Sequence, residues 1–236
     1  MGQCVPPATT PRRPERVYDW GMSKTTRISI IGAGNVGGGL GRSFSKAGFA
    51  VRFGVRPETD TKALLEECGK QASASDPAEA AAWGDVVFLA VPGTVALDVA
   101  RQLADKLAGK VVVDCNNPRV WKEGPAWSPP AEGSLAAAIA KAAPGARVVK
   151  GFNTFGAEHH ANAKLTGKSA EVFLAGDDAE AKKTVSEIAK EAGFTPIDSG
   201  PLRNAAVLEN VAMLWIHLAL VGGQGRNWIL SMQRPT

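Results

Sequence analysis

Ile28-Ser29-Ile30-Ile31-Gly32-Ala33-Gly34-Asn35-Val36-Gly37-Gly38-Gly39-Leu40 is a short apolar strand that runs straight into a glycine-rich turn. Gly32, Gly34 and Gly37 keep the GxGxxG spacing. Each glycine has its own physical reason: a tight turn, close approach of backbone to a pyrophosphate, and close packing of a helix on its strand. A helix opening near Asn35 would aim unpaired N–H groups and its positive dipole end at phosphate oxygens. Glycine-rich turns also occur where nothing binds, but here an apolar run precedes the motif and a helical pattern follows it, the context the motif requires. The stretch predicts a dinucleotide site formed by Gly32, Ala33, Gly34, Asn35, Val36 and Gly37, within a doubly wound parallel sheet of Rossmann type.

The next strand bears on which nucleotide is bound. A site for the 2′-hydroxyl form places Asp or Glu about 20 residues past the first glycine. Residues 28–57 contain no acidic residue, and the second strand, residues 49–55, ends in Val55-Arg56-Pro57. A carboxylate there would repel a 2′-phosphate, whereas a guanidinium can pair with it through two hydrogen bonds. NADP(H) is expected over NAD(H), with Arg56 as the leading contact and Arg52 secondary.

Further along, strand and helix patterns alternate, as they do in a parallel sheet. Strands are expected at residues 72–75, 85–91, 110–114 and 147–150. Helices are expected at 61–69, 77–83 (capped by Asp76), 94–107 and 134–143. Residues 116–133, rich in Pro and Gly and holding Trp121 and Trp127, read as a long irregular loop leaving the carboxyl end of a strand, where open α/β sheets bind ligands. Beyond lie strands at 171–175 and 194–198, a helix at 179–192, and a long apolar helix at 204–221. The expected organisation is a disordered extension over residues 1–24, an NADP-binding domain over 25–150, and a small C-terminal α/β lobe over 151–236 that completes an acceptor pocket. Met22 is an alternative start just ahead of the first strand.

With 236 residues, 44% of them hydrophobic, the chain can bury a core, and its net charge of +4 is spread rather than blocked. Neither nucleic acid nor an anionic membrane is implied, and no apolar run reaches the ~20 residues of a membrane span. Cys4, Cys68 and Cys115 lack metal-ligand spacing, so no metal site and a reducing, cytoplasmic setting are expected. In the last helix Val207, Leu208, Val211, Leu214, Trp215 and Leu218 follow helical spacing, which suits core or a homodimer interface. Glu209, Asn210 and His217 interrupt it and should find partners or serve a ligand.

Three segments should converge at the carboxyl edge: Val91-Pro92-Gly93, Asn116-Asn117-Pro118 and Gly151-Phe152-Asn153-Thr154. Their amides and hydroxyl suit a carboxamide or the edge of a flavin-type ring. A conventional acid or base is missing. His159 and His160 read as loop or surface residues, Asp177-Asp178 as a helix cap, Cys115 as a buried filler, and Lys150 as solvated or bound to phosphate.

From about residue 27 to 224 the chain resembles the coenzyme F420-dependent NADP oxidoreductases, and it is similar to the cytoplasmic oxidoreductase domain of six-transmembrane metalloreductases. The resemblance rests on Gly32-Ala-Gly-Asn-Val-Gly37, Phe88-Leu-Ala-Val-Pro-Gly93, Val148-Val-Lys-Gly-Phe-Asn-Thr154, Gly176-Asp-Asp178 and Ile197-Asp-Ser-Gly-Pro-Leu202 running into Leu208-Glu209. It implies hydride transfer between NADP(H) and a deazaflavin (F420) or a flavin (FMN or FAD), with the protein positioning two rings rather than supplying a catalytic side chain. It further implies that Ala33, Arg56, Val91 and Pro92 lie on the NADP side, and Val55 and Asn116 are expected among the cofactor-binding residues with them. Phe152, Asn153, Thr154, Phe155 and Gly200-Pro201-Leu202 would line the second-ring pocket. The archaeal enzymes carry Thr, Ser and His where Ala33, Val55 and Asn153 stand, so NADP preference here would lean on Arg56 and the acceptor stays open. The competing readings are a reductase of small imines or carbonyls, and an NADPH sensor without turnover.

Overall fold

The computed structural model describes residues 25–233, so the expected N-terminal disorder and the alternative start at Met22 lie outside the described residues. The first strand, β1 (Arg27–Ile31), enters helix α1 (Asn35–Lys46) through the glycine turn. Then follow β2 (Ala50–Gly54), α2 (Lys62–Cys68), β3 (Ala72–Ser75), α3 (Pro77–Trp83) and β4 (Val86–Leu89). Asp76 caps α3 by accepting from the Ala78 and Glu79 amides, with Pro77 pre-set for the first helical position. The single helix expected over 94–107 is divided into α4 (Ala96–Gln102) and α5 (Ala104–Leu107), because Leu103 breaks the turn between them.

After β5 (Val111–Asp114), the stretch expected to be irregular carries a small antiparallel hairpin, β6 (Arg119–Trp121) with β7 (Pro125–Trp127). Helix α6 (Leu135–Ala142), capped by the Ser134 hydroxyl, leads to β8 (Arg147–Lys150) and to a short helix, α7 (Ala157–Ala161), that patterning did not reveal. The chain closes with β9 (Glu171–Gly176), α8 (Ala179–Glu191), β10 (Thr195–Asp198) and the 16-residue α9 (Ala205–Leu220).

Eight strands form one sheet in the order β10-β9-β8-β5-β4-β1-β2-β3. From β3 to β8 all neighbours are parallel, the doubly wound order with its reversal beside β1. β9 pairs with β8 antiparallel, Val149 opposite Gly176, and β10 runs parallel to β9. Two cores cover the faces. One packs α1, α2 and α8 around Phe44, Phe53, Phe88, Phe152 and Phe194. The other packs α3, α4 and α6 around Leu89, Leu107 and Ile139. Both faces being covered, β1, β4 and β5 read as near-continuous apolar runs.

Candidate functional site

The glycine turn fits a pyrophosphate by shape. Gly32 holds φ at +104°, and a Cβ there would strike the Ala90 carbonyl. A Cβ on Gly37 would strike the Gly32 carbonyl, so the start of α1 can lie against β1 only because Gly37 is bare. Gly34 differs. It is exposed, its missing Cβ meets nothing, and it leads the unpaired N–H groups of α1, which has no acidic residue in its first turn. That is the space and polarity a phosphate needs.

At the end of β2, Arg56 projects into solvent, 80% exposed, with Nε 3.1 Å from Oε1 of Glu58. Val55 is half-buried beside it. Arg52 does not share this position. Its guanidinium lies over the Trp83 ring at 4.4 Å and donates to Ser73, which removes it from a nucleotide. Val91 and Pro92 sit at the end of β4, where a cavity of about 250 Å³ opens between Gly93, Thr94, Pro118 and Ser128.

The carboxyl edge of β5 and β8 is built over a buried ionic cluster. Lys150, expected to be solvated or on phosphate, is wholly buried: Nζ lies 2.8 Å from Asp114 and 3.2 Å from Glu209, and it also donates to the Asn116 carbonyl. Asp114 in turn accepts from the backbone and side-chain amides of Asn116. Glu209 accepts from Trp127 Nε1 and from the Leu135 amide, both at 3.0 Å. Charges this deeply buried persist only when paired and hydrogen-bonded, and here each is. The cluster therefore pins Asn116, the β6–β7 hairpin and α9 to one another. Cys115 is buried as expected, and burial pushes its thiol well up, with Asp114 adding to the effect.

Above the cluster, Asn117 and Asn153 exchange amide hydrogen bonds: Asn153 Nδ2 donates to Asn117 Oδ1 at 2.9 Å, and Asn117 Nδ2 donates to the Asn153 carbonyl at 3.1 Å. Asn153 Nδ2 also donates to the Leu208 carbonyl at 3.1 Å. With the nitrogen committed twice, Oδ1 faces away, buried and without a donor. A bare buried acceptor of this kind is costly, and a donor brought to it would remove that cost.

Several expected pocket residues stand elsewhere. Phe152 and Phe155 turn their rings into the core, 1% and 7% exposed, where they meet Phe194; only their backbone reaches the edge. Thr154 is buried beside them. Gly200-Pro201-Leu202 does not border Asn153. Because β9 is antiparallel to β8, the turn lies against Gly176, in register with Val149, and Leu202 joins the core on the other face. Leu208 and Glu209, further along, are the α9 residues that reach the edge. His159 and His160 are buried on α7 rather than on a loop or the surface, because α7 packs against α1 at Gly39. Asp178 caps α8 as expected, and Asp177 accepts from the Leu202 amide.

This mostly parallel sheet, with a phosphate-sized glycine turn, defines a dinucleotide-binding protein of Rossmann type. Residues 27–118 match the family described as NADP oxidoreductase coenzyme F420-dependent. The F420-dependent NADP reductase of Methanothermobacter thermautotrophicus is 30% identical over 207 residues, covering 81% of this chain and 88% of that protein. The solved structure of a putative F420-dependent NADP reductase from Arthrobacter sp. FB24 superposes with a TM-score of 0.80 at 28% identity, covering 89% of this chain and all of that one. The rat metalloreductase STEAP3 is 32% identical over 187 residues, 79% of this chain, which spans only 36% of that protein's length. The chain belongs to the coenzyme F420-dependent NADP oxidoreductase family. Among the described residues no helix is long and apolar enough to cross a membrane.

Proposed function

We propose that this protein transfers hydride between NADP(H) and a planar acceptor of the deazaflavin or flavin type, F420 first among them, laid against the carboxyl edge formed by Asn116, Asn117, Asn153 and Thr154. The observation that carries this reading is the commitment of the titratable groups beneath that edge. Asp114, Lys150 and Glu209 are spent on one another, and the side chains beside them are amides, among them Asn153 with its buried, unpaired Oδ1. Such a site orients rings and does not move protons, which suits chemistry supplied by the cofactors.

In this reading Gly32, Ala33, Gly34, Asn35, Val36 and Gly37 hold the pyrophosphate, Arg56 takes the 2′-phosphate, and Val91 and Pro92 flank the nicotinamide half. The outer face of α9, with Val207 and Leu214 about half exposed, is the surface through which two copies would pair. The experiment follows NADPH oxidation by purified protein with F420, FMN, FAD and no acceptor in parallel, repeated with NADH. Selective turnover of one acceptor with NADPH supports the reading and names the ligand. NADPH binding with no turnover of any acceptor overturns it in favour of a sensor or a small imine or carbonyl substrate.

A further inference from the structure

His160 is the buried group for which the proposed reaction has no direct use. Its Nε2 lies 2.8 Å from the Phe152 carbonyl oxygen and its Nδ1 3.3 Å from the Ala157 carbonyl oxygen; the shorter contact is the one a neutral ring protonated on Nε2 donates. Phe152 stands at φ +59°, in the left-handed region that a bulky side chain disfavours. Its ring is fixed in the core. Phe44, Phe88 and Phe194 clamp it at centroid distances of 6.2, 5.6 and 5.4 Å. Across a trans peptide the carbonyl of one residue and the N–H of the next point in opposite directions. A donor on the Phe152 carbonyl therefore fixes the direction in which the chain enters Asn153.

The backbone of His160 is itself held by the dinucleotide helix. Ser43 on α1 donates to the His160 carbonyl at 2.6 Å, and Gly39 lets α7 approach so closely that a Cβ there would stand 2.8 Å from His160 Cβ. One chain of contacts thus runs from α1 through His160 to the Phe152–Asn153 peptide, and from Asn153 to Asn117 and Leu208.

We infer that His160 is a positioning residue for the acceptor: its Nε2–H holds the Phe152–Asn153 peptide in the left-handed orientation that presents the bare Asn153 amide oxygen to a ring N–H of the bound acceptor. The inference rests on the reading that Asn153 borders the acceptor pocket. It differs from a packing role, because packing would be served by any side chain of similar length, whereas this role needs a donor.

The test compares His160→Gln, which keeps an N–H donor at similar reach, with His160→Met, which keeps length and loses the donor. F420 and FMN, both fluorescent, are titrated against each protein for Kd, NADPH is titrated separately, and KM and kcat are measured with the acceptor that turns over. The expected result is an acceptor Kd and KM about tenfold higher in His160→Met, the size of one well-placed hydrogen bond. NADPH Kd should stay within about twofold, and His160→Gln should recover most of the loss. Equal acceptor binding by both variants and wild type, or parallel loss of NADPH and acceptor, overturns the inference. If neither variant folds, nitrogen–proton correlation spectra of the wild-type imidazole decide it. A persistent proton on Nε2 supports the role, and a neutral ring protonated on Nδ1 overturns it. A wild-type protein that binds neither F420 nor FMN sinks the acceptor reading itself, a result seen before any variant is compared.

Discussion

Arg56 and Glu58 form an exposed ion pair at the end of β2, Nε to Oε1 at 3.1 Å, on the rim where the ribose of a dinucleotide would lie. The acid-free stretch that favours a 2′-phosphate therefore ends one residue short of a carboxylate that holds the same guanidinium. An exposed pair is worth about 0–1 kcal/mol, less than the about 1.5–3 kcal/mol of hydrogen bonds to a charged group, so a 2′-phosphate placed here would displace Glu58 from Arg56. Arg56→Glu should raise the NADPH Kd by roughly 10- to 100-fold and leave NADH nearly unchanged. Glu58→Gln should tighten NADPH by a few-fold at most. Fluorescence titration of both nucleotides checks this; equal losses for NADPH and NADH in Arg56→Glu would remove Arg56 from the 2′-phosphate.

Gly34 and Gly37 should separate binding from folding. At Gly34 φ is −72° and the place of a Cβ is open, so Gly34→Ala should keep the wild-type melting temperature. Its methyl would stand where backbone must approach the pyrophosphate, so NADPH affinity should fall by about tenfold or more. Gly37→Ala drives a methyl into the Gly32 carbonyl and should lower both stability and binding. Unchanged NADPH affinity in Gly34→Ala would mean that the nucleotide does not lie against this turn.

The parallel half of the sheet was legible because its information is local: apolar runs, glycines at fixed spacing, and Asp76-Pro77 opening α3. For the candidate site, what was legible is position: Gly34, Asn116 and Asn153 follow the carboxyl ends of β1, β5 and β8, as the spacing predicts. What patterning could not carry was direction and depth. A strand pattern is the same whether the strand runs up or down, so the antiparallel β9, and with it the displacement of Gly200-Pro201-Leu202 from the edge, had no signal. The burial of Lys150 depends on Glu209, 59 residues away, and a lone lysine at a strand end otherwise reads as solvated. His160 had one overlooked clue, the extra glycine at position 39 in α1, which has no part in phosphate binding and makes room for α7.

Lys150→Met tests the buried cluster. Removing the ammonium leaves Asp114 and Glu209 buried without their shared counter-charge. Breaking a buried pair from one side costs about 3–5 kcal/mol, and urea unfolding at pH 7 should show a loss of that order. The Asn116 carbonyl would lose its donor, and Glu209, which holds Trp127, would lose its counter-charge, so acceptor binding should weaken even where the variant still folds. A loss below about 1 kcal/mol would place the cluster among ordinary surface pairs.

His160 predicts the acid limb of stability. Burial lowers its pKa from the ordinary 6.5 to about 4, and the carbonyls of Phe152 and Ala157, which would favour the cation, offset only part of that. The folded state thus keeps the ring neutral where the unfolded chain takes up a proton. The stabilisation is fully present above about pH 6.5 and is lost progressively as pH falls towards 4, by about 3 kcal/mol in all. His159, also lowered by burial, adds a slope of the same sign. Denaturant midpoints between pH 7.5 and 4.5 should fall steeply in wild type and less steeply in His160→Gln, which has no proton to gain. Matching slopes in the two proteins would show that the folded ring is not kept neutral, and that the Phe152 carbonyl is held by a cation instead.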